Sequence, residues 1–380
     1  MLINLLLQGQ IYIILYLWLV CCVCMEESVQ GYKCRKILAL ISFILLFCFI
    51  GLRYETGTDW QSYKKLFDNL IFDWTILVNV VHFDFGYVLL NAFVKLFTDN
   101  YSILIFIDAA LTGIILYKFI IKFSPRPNIS IFLFYTNFMI AQFMGSNRRM
   151  IAMVIVLWTF YFVFKNKNIK SWISIVIAFF FHRSSIANVL IYFIPKQLFS
   201  WKRIILLLSI SIIIGISGLP LRIFEAIGGI NSDLALIHSV AIYSSEGEEH
   251  LKFGTGNIIY STILALVKRL CFVGFYLWIL KRRRSEDLVP DFCKFCFNAY
   301  ILAISAYVCL IGTFFQMLTA YWAFVEIVLI GQIMHLATKR QKQTFLCFLI
   351  PFGLLQMINA LNIFPDLYIP YISIFDNISR

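Results

Sequence analysis

The residues with the most chemistry in this chain stand together at Arg53-Tyr54-Glu55-Thr56-Gly57-Thr58-Asp59-Trp60-Gln61-Ser62-Tyr63. A guanidinium, carboxylates, threonine hydroxyls and aromatic rings follow directly on an apolar run, Ile37 to Leu52. Charges beside hydrocarbon are expensive and tend to be kept for a purpose. Here Arg53 could hold an anion and Asp59 could take a proton from a hydroxyl. Gly57 permits a tight turn, and Asp59 with Thr58 could cap a helix beginning near Trp60. The same stretch also reads as a polar loop anchored at a membrane interface by Tyr54, Trp60 and Tyr63.

Two later positions carry comparable chemistry. Arg148 and Arg149 sit side by side between two apolar runs. They are either a snorkelling pair or a grip on an anionic ligand, since arginine matches phosphate bidentately. His182-Arg183-Ser184-Ser185 breaks what would otherwise be one apolar stretch, Trp172 to Ile194. His182 is either a structural residue satisfied by a backbone carbonyl or a ligand for a phosphate or sugar hydroxyl. Lys268 and Arg269, inside another apolar run, need anionic partners: lipid phosphate, or acids such as Asp108 or Glu326. Cys293 and Cys296 have CxxC spacing, but no second pair or histidine follows at metal-site spacing, so neither a metal nor a cofactor is expected.

The elements that must position these groups are membrane helices. The 380-residue chain is 61% hydrophobic and 14% charged, where a soluble domain carries about a quarter charged residues. Its net charge of +12 is spread over short loops, where it reports topology, not a nucleic-acid surface. The ten cysteines lie mostly in apolar runs and behave as small hydrophobes.

In chain order the apolar runs are Leu2–Met25, Ile37–Leu52, Ile103–Ile121, Ile129–Gly145, Met150–Phe164, Trp172–Phe181, Ile186–Ile194, Ile204–Leu219, Asn257–Leu280, Phe292–Gly312, Met317–Leu336 and Thr344–Ile363. The first, lacking a basic n-region and a small-residue cleavage site, reads as a retained span. Placing the basic clusters at 33–36, 122–126, 165–170, 196–203, 281–284 and 339–342 in the cytoplasm puts Arg53, Arg148 and His182 on the outer face. This holds only if the short run Phe85–Phe97 is re-entrant or interfacial. The expectation is an all-α polytopic membrane protein with about twelve crossings. It forms a single integral membrane domain, 1–380, with an extracytoplasmic motif loop at 53–100 and a long loop at 220–256. That second loop holds scattered acids and reads as a solvated lid.

These residues carry a resemblance. Gly51-Leu52-Arg53-Tyr54 with Gly57-Thr58-Asp59-Trp60 and Tyr63 resembles the "GLRY-x-x-GTDY-x-x-Y" signature of the EpsG/Wzy family of exopolysaccharide and O-antigen polymerases. Further matches follow in order. Phe83-Asp84-Phe85-Gly86-Tyr87 with Leu89-Leu90-Asn91 is similar to "E-P-G-F-x-x-L-N", with Asp84 for Glu and Phe85 for Pro. Asn147-Arg148-Arg149-Met150-Ile151-Ala152 is similar to "I-R-Q-x-I-A", with Arg149 for Gln, and His182-Arg183-Ser184-Ser185-Ile186 to "H-x-S-A-L", with Ser185 for Ala. No late arginine matches; Thr319-Ala320-Tyr321-Trp322 stands there instead.

The resemblance implies a GT-C-type glycosyltransferase of the bacterial inner membrane. It would polymerise undecaprenyl-diphosphate-linked oligosaccharide at the periplasmic face, without metal or cofactor, with membrane lipid around it and room for a chain-length regulator and a flippase as partners. In that chemistry Arg148, with Arg53 and Arg149, holds the departing diphosphate. Asp59 is the first choice of general base, and His182 the second or a diphosphate ligand. Asp84 orients the acceptor, and Trp60 or Tyr63 stacks on sugar rings. The alternatives are a lipid-linked oligosaccharide flippase or other transporter, against which the lack of an internal repeat argues, and an O-antigen ligase using the same donor.

Overall fold

A computed structural model describes residues 7–28, 31–71, 84–228, 258–283 and 289–378. Asp73, His82 and Phe83 lie outside the described residues, as does the 220–256 loop from residue 229 onward. The side chain of Lys268 is likewise outside them.

The helices are α1 (Gln10–Ser28), α2 (Tyr32–Gly51), α3 (Trp60–Asn69), α4 (Phe85–Lys95), α5 (Tyr101–Phe123), α6 (Pro127–Phe134), α7 (Asn147–Phe164), α8 (Asn168–Phe181), α9 (Trp201–Ser217), α10 (Leu219–Gly228), α11 (Ile258–Arg283), α12 (Asp291–Cys309), α13 (Thr319–Ala323), α14 (Glu326–Leu336), α15 (Lys339–Ile363), α16 (Pro365–Tyr368) and α17 (Ile374–Ile378). A π-helix, Tyr135–Phe143, continues α6, and a 3-10 stretch, Arg183–Phe193, follows α8. Seven segments among the described residues are long and apolar enough to cross a bilayer: α1, α2, α5, α7, α12, Phe315–Leu336 and α15. The described residues are therefore those of an all-helical, polytopic membrane protein. The run Phe85–Phe97 yields an 11-residue helix, about 16 Å long and half the depth of a hydrocarbon core. The run Ile186–Ile194 is 3-10, and Ile129–Gly145 changes pitch at Tyr135.

The chain divides into two compact units, Met1–Val189 with Ile327–Arg380, and Leu190–Glu326. In the first, α7 is the central helix. Met150, Ile151, Ala152, Met153, Val154, Val156, Leu157 and Phe160 are all buried, as expected of a helix apolar all round. It packs against α5, α8 and the π-helix, while α2 packs on α5 and α6, and α4 on α3 and α8. Outward-facing Ile14, Leu17, Ile44, Ile114 and Ile173 are exposed. In water each such side chain forfeits about 1.5–3 kcal/mol of burial energy; against lipid it does not.

The second unit packs α9 against α11 and α12. Asn298 ties its N-terminal segment down, donating to the carbonyls of Pro195 and Gln197 at 2.7 Å and accepting from the Phe199 amide at 2.9 Å. Cys293 and Cys296 are buried there as free thiols. Glu326 accepts from Tyr276 at 3.0 Å, and Arg269 lies over the Tyr307 ring at 3.4 Å. Asp108, in the first unit, accepts from Tyr87 at 3.4 Å.

Candidate functional site

Three helices of the first unit begin at one place. Asp59, Asp84 and Ser146 occupy the N-cap positions of α3, α4 and α7, and none of their side chains makes a capping hydrogen bond. Such residues at an N-cap ordinarily accept a backbone N–H, worth about 1 kcal/mol each. Helix α3 starts at Trp60 as the sequence predicts, but the expectation that Asp59 caps it is corrected. Its carboxylate is turned to the Tyr63 phenol, which donates to Asp59 Oδ2 at 3.2 Å.

The diverted side chains form a web. The Tyr63 hydroxyl lies 2.9 Å from Ser146 Oγ and accepts from Arg148 Nε at 3.2 Å. Arg148 Nη1 donates to Asp84 Oδ2 at 2.8 Å. The other Asp84 oxygen accepts the Arg183 amide at 3.1 Å and lies 3.3 Å from Arg183 Nε. Arg149 donates to Gln142, from the π-helix, at 3.1 Å. His182 Nδ1 and Ser184 Oγ are 2.5 Å apart. Motif segments from four parts of the sequence thus meet: Asp59 and Tyr63, Asp84, Arg148 with Arg149, and His182 with Arg183.

Glycines allow the close approach. Gly57 has φ 110°, and a Cβ there would run into the Met144 carbonyl oxygen. At Gly86 a Cβ would stand 2.9 Å from the Phe180 carbonyl oxygen, so only glycine lets α4 start against the end of α8.

The turn containing Gly57 is held from the far end of the chain. Arg53 and Ser373 form an isolated antiparallel bridge. The Tyr54 amide donates to Ile372 at 2.8 Å, Gly57 to Leu367 at 2.9 Å, and Ile374 to Leu52 at 2.9 Å. Glu55, in this turn, takes a positive φ of 46°, a conformation a non-glycine residue adopts at some cost.

Burial sets the charges. It raises the Asp59 carboxyl above the ordinary aspartate range, opposed by the Tyr63 hydrogen bond and by Arg148 and Arg149. Asp84 is raised by burial too, opposed chiefly by Arg148 and Arg183. His182 is pushed down to about 2, first by burial and then by Arg149 and Arg148. It is a neutral imidazole throughout the physiological range. Among the described residues no three His, Cys, Asp or Glu side chains are grouped as a metal ion would need.

Arg53 and Trp60 lie behind this web, and the Tyr63 ring joins them there. Arg53 is only 2% exposed; it donates to the Ile50 carbonyl at 2.7 Å and to Asn147 Oδ1 at 2.5 Å. Asn147 in turn donates to the Tyr87 hydroxyl at 3.1 Å. Trp60 and Tyr63, expected against sugar rings, are 5% and 2% exposed. Their rings meet Tyr54 and Tyr101, and Tyr87, edge-on within 5.5 Å, so core packing takes them up. Sequence reasoning passed over Ser146, Asn147 and Gln142. Asn147 stands inside the Arg148 motif, and adjacency to two cations was the signal available.

Every residue of this web lies inside the match to a family model, described as the EpsG family, which covers residues 36–373. The chain belongs to the EpsG family. The match runs from within α2 to Ser373 of the segment that pairs with the motif turn, so the EpsG-family region takes in the motif segments that form the site. No curated protein and no solved structure is significantly similar to the chain. EpsG-family membership points to a polysaccharide polymerase-like, glycosyltransferase-like role for this membrane protein.

Proposed function

We propose that this protein joins oligosaccharide repeat units carried on undecaprenyl diphosphate, with the lipid diphosphate as leaving group, at the periplasmic face of a bacterial inner membrane. One observation carries the reading. Arg148 sits in the first turn of the 18-residue helix α7, anchored by Asp84 and Tyr63, and Tyr63 also holds the Asp59 carboxyl. A helix N-terminus carries about half a positive charge, so two arginines in its first turn work against the dipole. An anion arriving there relieves both. A diphosphate is such an anion, and it gains charge as its bond to the sugar breaks.

The chemistry then follows. Asp59 takes the proton from the acceptor hydroxyl, and that oxygen attacks C1 of the donor sugar. The bond from C1 to the diphosphate oxygen breaks, and the electron pair leaves with the diphosphate. Arg148, Arg149 and the exposed Arg183 stabilise the departing charge. Burial raises the Asp59 carboxyl and so makes it a better proton acceptor. His182, titrating near 2, is too weak a base; as a neutral imidazole it serves as a hydrogen-bond partner for phosphate or sugar. Asp84 holds Arg148 and Arg183 in place. Arg53, bonded to the first residue of α7, supports that helix start. The eleven-residue α4 suits a re-entrant segment that brings Asp84 to the outer surface.

The test is reconstitution of the purified protein with a defined undecaprenyl-diphosphate-linked repeat unit, with products sized on a gel. A ladder spaced by one repeat, lost in Arg148→Ala, is expected. Transfer onto added lipid A-core alone would make the protein a ligase. Translocation without any new glycosidic bond would refute the enzyme reading.

A further inference from the structure

Tyr63 holds the position between base and cation. Its ring is locked in the core against Tyr87, with 5.2 Å between centroids, and only its hydroxyl reaches the site. That oxygen meets Asp59 Oδ2 at 3.2 Å, Ser146 Oγ at 2.9 Å and Arg148 Nε at 3.2 Å. A phenol has one O–H to donate and lone pairs to accept with. Arg148 can only donate, so it takes a lone pair. Ser146 can donate or accept, whereas an ionised Asp59 can only accept. With Asp59 ionised, the phenolic proton therefore goes to Asp59 and the serine hydroxyl turns to donate to the phenol. When Asp59 takes up a proton, the demand for that donor disappears and Ser146 becomes the alternative acceptor.

We propose that Tyr63 is a positioning residue of the reaction: its single O–H holds Asp59 as the proton acceptor, and its oxygen, by accepting from Arg148 Nε, fixes the spacing between the base and the leaving-group cation. The proposal rests on Asp59 being the base. It gives the motif tyrosine a role in timing and geometry in place of a stacking surface. The titratable and charged groups that face Asp59 are Tyr63 from its own helix, Arg148 and Arg149 from α7, and Tyr368 from α16. Of these, Tyr63 is bonded to both Asp59 and Arg148.

The experiment compares kcat, KM for the lipid-linked donor and the acid limb of the kcat–pH profile in the reconstituted full-length protein. Tyr63→Phe keeps the ring and removes the hydroxyl. It is expected to lower kcat about 10–100-fold, with KM changed less than about threefold and the acid limb moved up by about one pH unit. One unit is the effect of a single charge-assisted hydrogen bond to the ionised form. Replacing Tyr63 with 3,5-difluorotyrosine, a stronger hydrogen-bond donor that keeps the ring and its hydroxyl, is expected to move the limb the opposite way. Should Tyr63→Phe fold poorly, the fluorinated protein alone decides. An acid limb unmoved in both proteins, while Asp59→Asn is inactive, overturns the role of Tyr63 and leaves Asp59 as base. An active Asp59→Asn overturns both together.

Discussion

Arg148 and Asp84 make opposite predictions for stability and for catalysis, and a double-mutant cycle separates the two. The Arg148 side chain is 21% exposed, that of Asp84 5%, and the closest atoms are 2.8 Å apart. At an effective dielectric of about 20, unit charges at that distance attract by roughly 6 kcal/mol before desolvation is counted. Removing one partner of a buried pair typically costs 3–5 kcal/mol, because the other charge is stranded. Here the cost is smaller. Arg183 stays within 3.3 Å of Asp84, but its side chain is 64% exposed, so it offsets up to about 1 kcal/mol, and Arg148 is partly solvated. We expect Arg148→Ala and Asp84→Ala each to destabilise by about 2 kcal/mol, a fall in Tm of about 4–8 °C for a domain of this size. The double variant removes both charges and should be destabilised by only about 1 kcal/mol against the roughly 4 expected from additivity, a coupling energy of about 3 kcal/mol. Polymerisation behaves differently. Arg148→Ala loses about 100–1,000-fold in kcat, the usual value of one donor at a developing oxyanion, and the double variant recovers none of it. Thermal unfolding in detergent and gel-resolved chain extension measure the two halves. If activity returned with stability in the double variant, Arg148 would be a structural ion-pair partner and its role at the diphosphate would fail.

Other variants probe the rest of the site. Asp59→Asn is nearly isosteric and should abolish chain extension, by at least about 100-fold, with Tm within a few degrees of wild type; near-normal polymer length in cells would remove Asp59 as base. His182 titrates near 2 in the folded protein but near 6.5 when unfolded, so the unfolded chain binds more protons between those values. Stability therefore falls with falling pH below about 6.5, by about 2 kcal/mol from pH 7 to pH 5. His182→Gln should flatten that part of the Tm–pH curve, and an unchanged slope would place the titration elsewhere. Gly57→Ala forces a side chain onto a φ of 110° and into the Met144 carbonyl. It should cost more than about 2 kcal/mol and reduce the folded yield on size-exclusion chromatography, whereas Gly218→Ala, with open space around it, should be milder.

Much of this was legible because it depends on local pattern. The long apolar runs predict α2, α5, α7 and α12 within a few residues, since twenty apolar residues have few other places to go. The shortness of the run after Asp84 is equally local. The clustering of Asp59, Asp84, Arg148 and His182 was legible only through the order of motifs, for no rule of spacing brings positions 59 and 182 together. The burial of Trp60 and Tyr63 was not legible, because an aromatic near a membrane interface and an aromatic in a core have the same sequence signature. What decides is whether Tyr87 and Tyr101 reach them, which is a tertiary fact. Capping was misjudged for a related reason. Asp59 is a good N-cap by type, but its carboxylate is bonded to Tyr63 and not to the backbone of its own helix.

The pairing of Arg53 and Ser373 also sets a timetable. Thr56 and its partner Ile372 are 316 residues apart, and a ribosome adding about 5–20 residues per second needs roughly 15–60 s to cover that distance. Through that interval the early spans can insert and pack, but the turn carrying Asp59 lacks the backbone partners that shape it. The turn is thus shaped only once residues 367–374 have been made. A translation product ending at residue 364 should insert normally yet extend no polymer, and adding residues 365–380 back as a separate peptide should restore some activity. If the truncated chain were fully active, the pairing would be dispensable.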